Sequence, residues 1–338
     1  MMDSWITINT PHLREQPLDS STLVDMLDTV PPEGFSANVV AVESYRERLP
    51  VPGLAGVVRT VWIQRTGPTD HVHRHLPTGG VEIHFPIGGR PQLLGPLTGP
   101  AIEIIPANTT LVGVRFHPGT APPLPAMLDD LVDQQVSLTD LWGHTTDRLV
   151  EAMSQATTPE RALTYLQAHL LNEFRTTARL DALVHEAVRA LMPWHPINID
   201  SLATHLALSG SQLRRRCLHT VGTTPKVLQR TLRFQGFLAL AQSGATPSGA
   251  TPSSATPSSA TPSGATPSDR RGPEGVAGLA LDVGYADQAH LNRECLRLSG
   301  LTPGQLLEVN LDRCAREHDH SGSYQPFLAT RGGPPVRV

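Results

Sequence analysis

From Leu54 to His117 apolar and polar side chains alternate in short bursts, the period-two pattern of strands half-buried in a sheet. The bursts are VVRTVWIQR, VEIHF, IEII and LVGVRF. In the second, Val81, Ile83 and Phe85 alternate with Glu82 and His84. Glycine and proline clusters separate them, which predicts a small β-barrel or sandwich. From Pro125 to about Met192 the period lengthens to three and four, in LTDLW, DRLVEAM, PERALTYLQAHLLNEF and ARLDALVHEAVRALM, and predicts helices. Past Pro196 the patterned segments read as short helices. The 338 residues are therefore expected to form an α+β protein of two domains, β-rich first and all-α second.

One tract has no such pattern. Between Gly244 and Asp269 the tetrapeptide ATPS recurs five times at a spacing of five. Nothing in it before Asp269 is larger than threonine or proline, so it has no apolar surface to bury and is expected to be disordered.

Composition adds less than the distribution of charge. The net charge of −4 has no basic bias. Up to Pro196, however, 13 arginines and no lysine face 21 acids, whereas from Ile197 to Ser243 six basic residues face one acid. A basic module after an acidic one is expected when only one half meets phosphates. Arginine supplies nearly all the basic residues, which points to a GC-rich bacterial genome. Cys217, Cys295 and Cys314 form no CxxC pair and cannot build a disulfide framework. The chain has neither a signal-like N-terminus nor an 18-residue apolar run, so a soluble, cytoplasmic protein is expected, with no membrane partner.

The basic half contains two related segments. In NIDSLATHLALSGSQLRRRCLHTVGTTP, a helix around Ser201 to Ala207 buries Leu202, Ala203 and Leu206, and a turn at LSG follows. Ser209 and Gln212 form a capping box for a second helix, which Gly222 ends. Leu213 and Cys217 lie 40° apart at 100° per residue. They mark its buried side, leaving Ser211 and Arg215 opposite and Arg214 at the border. In GVAGLALDVGYADQAHLNRECLRLSGLTPGQLL, Val276, Leu279 and Ala280 are the buried positions, Val283-Gly284-Tyr285 the turn, and Asp287 or its neighbour the cap. Leu291 and Cys295 repeat the spacing of Leu213 and Cys217, and Gln288, His290, Asn292 and Arg293 point away. Two such helix-turn-helix units can enter two successive major grooves of DNA.

The segment from about Ile197 to Leu307 resembles the DNA-binding domain of AraC/XylS-family transcription regulators. SLATHLALSGSQLRRR, VGTTPKVLQRTLRFQGFLALAQ, LALDVGYADQAHLNRE and GLTPGQ carry the resemblance. It implies two helix-turn-helix units joined by a linker helix. Ser211, Gln212, Arg214 and Arg215 then fall in the first recognition helix, Gln288, Ala289, His290, Asn292 and Arg293 in the second, and Lys226 near a backbone phosphate. Cys217 and Cys295 stand where the family usually has a large aromatic, and Arg216 replaces a commonly apolar residue. The family has only a few residues where the ATPS tract stands, so the tract reads as an insertion spanning 244–272.

The acidic half, through HRHLPTGGVEIHFPIG, LLGPLTGP, VGVRFHPG and SLTDLWG, resembles the cupin-like N-terminal domain of one branch of these regulators. The implied organisation is a cupin-like sensor or dimerisation domain over 1–150, a helical connector over 151–192, a DNA-binding domain over 193–310 and a disordered tail over 317–338. His71, His73, His75, Glu82, His84 and His117 offer metal-ligand chemistry. Their spacing does not match the metal-cupin pattern, and exposed or structural histidines with no metal or cofactor are expected. Pro68 and Pro77 weaken the strand reading of HVHRH. Arg115 on its strand needs a partner, either Glu82 or Glu103 or an acidic ligand, so Glu82, His84 and Arg115 are the candidate ligand-binding residues. No nucleophilic triad, phosphate loop or dinucleotide motif is present, and no enzymatic activity is expected. The sequence thus predicts a sequence-specific regulator whose partners are an operator DNA, a small-molecule effector, a second copy of the chain and, for an activator, RNA polymerase. The alternative is a cupin-type metal-dependent enzyme with an accessory DNA-binding domain.

Overall fold

The computed structural model describes residues 43–177, 180–243, 273–314 and 318–332. The ATPS tract lies outside them. Six strands precede the helices in one sheet: β1 (Ser44–Arg48), β2 (Val58–Arg65), β4 (Glu82–Pro86), β5 (Gln92–Leu94), β7 (Thr110–Phe116) and β8 (Gln135–Ser137). A late strand, β9 (His318–Asp319), completes the order β8-β5-β4-β7-β2-β1-β9, pairing parallel to β1 where every other pair is antiparallel. A second layer is the two-stranded ribbon of β3 (His71–His75) and β6 (Ala101–Ile105). HVHRH is thus a strand despite its flanking prolines, because Pro68 and Pro77 lie outside the paired residues.

The alternation in VEIHF is resolved by layers on both sides. Ile83 and Phe85 face a core shared with Val61, Val112 and Val114 of the sheet and with Leu163, Leu166 and Leu170 of a long helix, α3 (Pro159–Thr177). Glu82 and His84 face the ribbon and are also buried. The ribbon is patterned inside out. His73 stands opposite Glu103 and Val72 opposite Ile104, and it is Val72, Ile102 and Ile104 that are exposed.

α1 (Leu138–Trp142) and α2 (His144–Ser154) join α3 on the sheet core through Leu138, Leu149 and Met153. α4 (Ala182–Ala190) packs instead with α5 (Ile199–His205), α6 (Gly210–Val221) and the first half of α7 (Pro225–Ser243), through Val184, Ala187, Leu202, Leu213, Cys217, Leu228 and Leu232. The stretch 151–192 is therefore divided between two cores and forms no separate connector. The second half of α7 enters a third core with α8 (Pro273–Asp282), α9 (Gln288–Ser299) and α10 (Pro303–Cys314), built on Phe234, Phe237, Leu279, Leu291, Cys295 and Leu306. Every residue of α7 from Phe234 to Leu240 is buried, as expected of a helix enclosed on all sides.

The expected disordered tail is corrected for residues 318–332. After β9, α11 (Ser321–Ala329) packs on α7, β1 and β2, with Phe327 buried under the edge of Trp194 at 5.2 Å between ring centres and the Arg59 guanidinium 5.3 Å above its own ring. A nine-residue helix containing Pro326 would not form alone. Its order comes from these contacts, which local composition does not reveal.

Gly113 sets the spacing of the ribbon-facing layer. It stands opposite both Trp62 and His84, and a Cβ there would lie 2.1 Å from the indole ring. Gly113→Ala is expected to displace Trp62 and cost about 1–3 kcal/mol, read as a lower urea midpoint at unchanged slope.

Candidate functional site

The two helix pairs α5–α6 and α8–α9 repeat each other at the level of single hydrogen bonds. In the first, Leu206 N–H donates to Leu202 O and Leu208 N–H to Ala203 O (2.9 Å). In the second, Val283 N–H donates to Leu279 O and Tyr285 N–H to Ala280 O (2.9 Å). The residue between takes the left-handed conformation in both, Ala207 at φ 52° and Gly284 at φ 81°. Ser209 then caps α6 in a capping box, its hydroxyl accepting from Gln212 N–H while Gln212 Oε1 accepts from Ser209 N–H. Asp287 caps α9, its Oδ1 accepting from His290 N–H at 2.6 Å.

On α6 Leu213 and Cys217 are fully buried and Ser211, Gln212, Arg214 and Arg215 are exposed. Arg216 turns back to Asp181 Oδ2 at 2.7 Å, the carboxylate whose other oxygen caps α4. On α9 Leu291 and Cys295 are fully buried, Ala289 and Arg293 exposed, and Gln288, His290 and Asn292 half-buried, with His290 edge-on to Tyr285. Burial pushes the Cys217 and Cys295 thiols up to about 12, so both behave as small apolar groups. Lys226 is exposed in the first turn of α7, and Arg230 of α7 pairs with Glu294 of α9 at 3.0 Å. The β domain meets the far ends of both second helices. Gly222 after α6 abuts Pro96 and Leu128, and Arg74 Nη1 donates to Ser299 O at the end of α9 at 2.9 Å. The N-terminal halves, with Arg214, Arg215 and Arg293, face outward and form no ion pair with another described residue.

A second constellation lies between the sheet, the ribbon, α7 and α11. Arg115 grips Glu82 through two bonds, Nε to Oε1 at 2.7 Å and Nη2 to Oε2 at 3.2 Å, and its Nη1 donates to Glu47 Oε1 at 2.8 Å and to the Ser323 hydroxyl. Glu47 also accepts from Tyr45 O–H at 2.8 Å and from Ser323 N–H at 2.6 Å. Arg59 donates to Ser323 O at 2.8 Å and to Gln235 of α7 at 3.2 Å. Beside this network His75 Nε2 lies 2.7 Å from Glu103 Oε2, with His84 Nδ1 3.7 Å from the same oxygen. A cavity of about 80 Å³ is lined by Glu47, Glu82, Arg115 and His75 together with Gln235, Leu238, His320 and Tyr324, and a smaller pocket of about 10 Å³, sharing His75, Glu82 and Arg115 with it, is lined by His84 and Glu103.

Burial opposes ionisation of Glu82 and Glu103. The Arg115 charge at Glu82 and the His75 and His84 rings at Glu103 outweigh it and hold both well below the usual carboxylate range. Burial lowers His75, whereas at His84 the two carboxylates outweigh burial and raise it. Among the described residues, His75 and His84 are the two of the six with metal-ligand chemistry that cluster, with Glu103 as third member, their ligand atoms within 4.8 Å of one another. Glu82 instead holds Arg115, His73 lines the cavity, His71 pairs with Glu43 at 3.0 Å, and His117 lies elsewhere under burial that brings it to about 4. No local sequence signal marks Glu47, Arg59 or Ser323. SYRER precedes the obvious strands, and Ser323 lies in the tail.

These features define a protein with a β-rich domain followed by a helical one, joined by a polar cavity. Residues 46–137 match a family described only as a domain of unknown function, DUF6597. No curated protein shows significant similarity to the chain. Solved structures similar to it include an apo ToxT variant from Vibrio cholerae, at 11% identity over 73% of this chain and 96% of that one with a TM-score of 0.40. Another is ToxT from Vibrio cholerae O395, at 8% identity over 78% and 97% with a TM-score of 0.38. No described helix is long and apolar enough to cross a membrane.

Two expectations follow. Ala207→Gly removes a side chain from a left-handed position and is expected to raise stability by about 1 kcal/mol in urea unfolding. Glu47 is brought to about 2 because His320 and Arg115 outweigh its burial. A lowered carboxylate stabilises fully above its ordinary value of 4.5 and loses that contribution as pH falls towards 2. Melting temperature should therefore drop less steeply between pH 5 and 3 in Glu47→Gln than in the unsubstituted protein.

Proposed function

We propose that the chain is a sequence-specific DNA-binding transcription regulator of the AraC/XylS type, with α6 and α9 as recognition helices and α7 as the linker between them. The observation that carries this reading is the duplication. Two helix pairs share the same turn hydrogen bonds, the same buried Leu and Cys spacing and an outward N-terminal half bearing arginine. N-terminal residues of a recognition helix are those that reach base edges in the major groove. Ser211, Arg214 and Arg215 would act in the first groove and Ala289, Asn292 and Arg293 in the second. Gln288 and His290 would contribute from the half-buried border, and Lys226 would hold a phosphate. Gln212 already closes the cap of α6 through its amide oxygen, which leaves its NH2 group for DNA.

In this reading the β domain is a cupin-like sensor, and the cavity lined by Glu82 and Arg115 on one side and by Gln235 on the other, with His84 in the adjoining smaller pocket, is the effector site. A ligand there would touch the linker helix directly. Because Arg115 already has two carboxylates, an acidic effector would have to displace Glu47 or Glu82, so a neutral or cationic effector fits better. A second copy of the chain and RNA polymerase are partners of the same proposal. The chain acts without chemical catalysis, in the cytoplasm.

Replacing Arg215 or Arg293 by alanine is expected to weaken binding to a selected operator by about 1–3 kcal/mol, while Lys226→Ala lowers affinity evenly across sequences and reduces the salt dependence. Gel-shift titrations measure both. Operator binding unchanged in both arginine variants would contradict the assignment.

A further inference from the structure

We infer that His75, His84 and Glu103 form a binding site for a divalent transition-metal cation of borderline softness, with Zn²⁺ as its representative. The proposal stands apart from the DNA-binding reading and does not depend on it. The three residues come from three strands, β3, β4 and β6, and each brings one ligand atom within 4.8 Å of the others. Glu103 Oε2 is 2.7 Å from His75 Nε2 and 3.7 Å from His84 Nδ1. A tetrahedral cation with bonds of 2.0–2.1 Å holds its ligand atoms about 3.3 Å apart, so rotations within the existing rotamers would close the site. Two imidazoles and a carboxylate are a donor set suited to zinc and its neighbours and unsuited to magnesium or calcium.

Three further observations point the same way. His84 is buried with Nδ1 towards Glu103 and Nε2 towards Glu82 Oε2 at 3.5 Å, the second-nitrogen carboxylate partner that orients a metal-bound imidazole. Glu82 and Glu103 line the smaller pocket with Arg115 and three imidazoles; Arg115 is held by Glu82, so Glu103 has His75 and His84 beside it and no guanidinium, a setting that suits a cation better than an anion. The ribbon also turns its imidazoles and carboxylate inward while Val72, Ile102 and Ile104 stay in solvent, the reverse of the arrangement that burial of apolar surface favours. Cation binding would displace the proton shared by His75 and Glu103 and leave the Arg115 bonds to Glu82 and Glu47 in place.

The test uses the tag-free full chain, stripped with a chelator and titrated with Zn²⁺ by calorimetry and with Co²⁺ by visible absorption. One Zn²⁺ per chain and a Co²⁺ spectrum of tetrahedral intensity are expected, with no saturable response to Mg²⁺. The double variant His75→Ala, His84→Ala should bind Zn²⁺ at least about 100-fold more weakly. Glu103→Gln, which keeps the side chain's volume and an oxygen facing His75, should lose at least about 10-fold. His144→Ala, on an exposed helix end, should bind as the unsubstituted chain does. Absence of saturable Zn²⁺ binding, or unchanged affinity in Glu103→Gln, overturns the proposal. If the double variant does not fold, the Glu103→Gln result decides.

Discussion

A guanidinium taken out of water must find carboxylates, and Arg115 finds two that belong to different strands. It ties β7 to β4 through Glu82 and to β1 through Glu47, and both it and Glu47 then bind Ser323 of α11. Removing Arg115 leaves two buried carboxylates without their guanidinium, a loss of about 3–5 kcal/mol, which is why the arrangement holds as a unit. The position of α11 follows from it, and through Phe327 so does part of the first helical core. Arg59 extends the same chain of bonds to Gln235 on α7. The C-terminal segment is thus a wedge whose polar edge faces the β domain and whose apolar edge faces the helices.

The helical half depends on a different device, a helix whose stretch from Phe234 to Leu240 has no solvent side. α7 supplies Leu228 and Leu232 to one core and Phe234, Phe237 and Leu238 to the next, so the two helix pairs share one rigid element and not a flexible joint. Arg230 and Glu294 add a link from α7 to α9. The 26 residues from Gly244 to Asp269 fall just after α7 ends at Ser243 and before α8 begins at Pro273. Loop closure grows only slowly with length, so an insertion there costs little of the packing that the third core supplies.

Much of this was legible in the residues. The alternation in VEIHF and LVGVRF gave the strands, and the Leu and Cys spacing, the Ser209 and Asp287 caps and the Gly222 stop gave the helix pairs, because these signals are local. Arg115 on a strand needs a carboxylate, and Glu82, one of the two that the sequence offers, is one it binds. What could not be read was long-range. Glu47 and Ser323 are 276 residues apart, and nothing in SYRER or SGSYQPF states that they meet. His75, His84 and Glu103 come together only because the ribbon folds over the sheet, an arrangement their sequence spacing does not encode. The strand HVHRH was obscured by prolines that end it without entering it. The connector over 151–192 that the resemblance implies is divided between two cores by packing that no local signal encodes.

The central claim is that the Arg115 network holds the C-terminal helix against the β domain. Hydrogen exchange on the full chain carrying Arg115→Met tests it most directly. The account predicts that amides from Gly322 to Leu328 lose protection together with β1, while those of α6 keep theirs. Protection of α11 equal to that in the unsubstituted chain would contradict it.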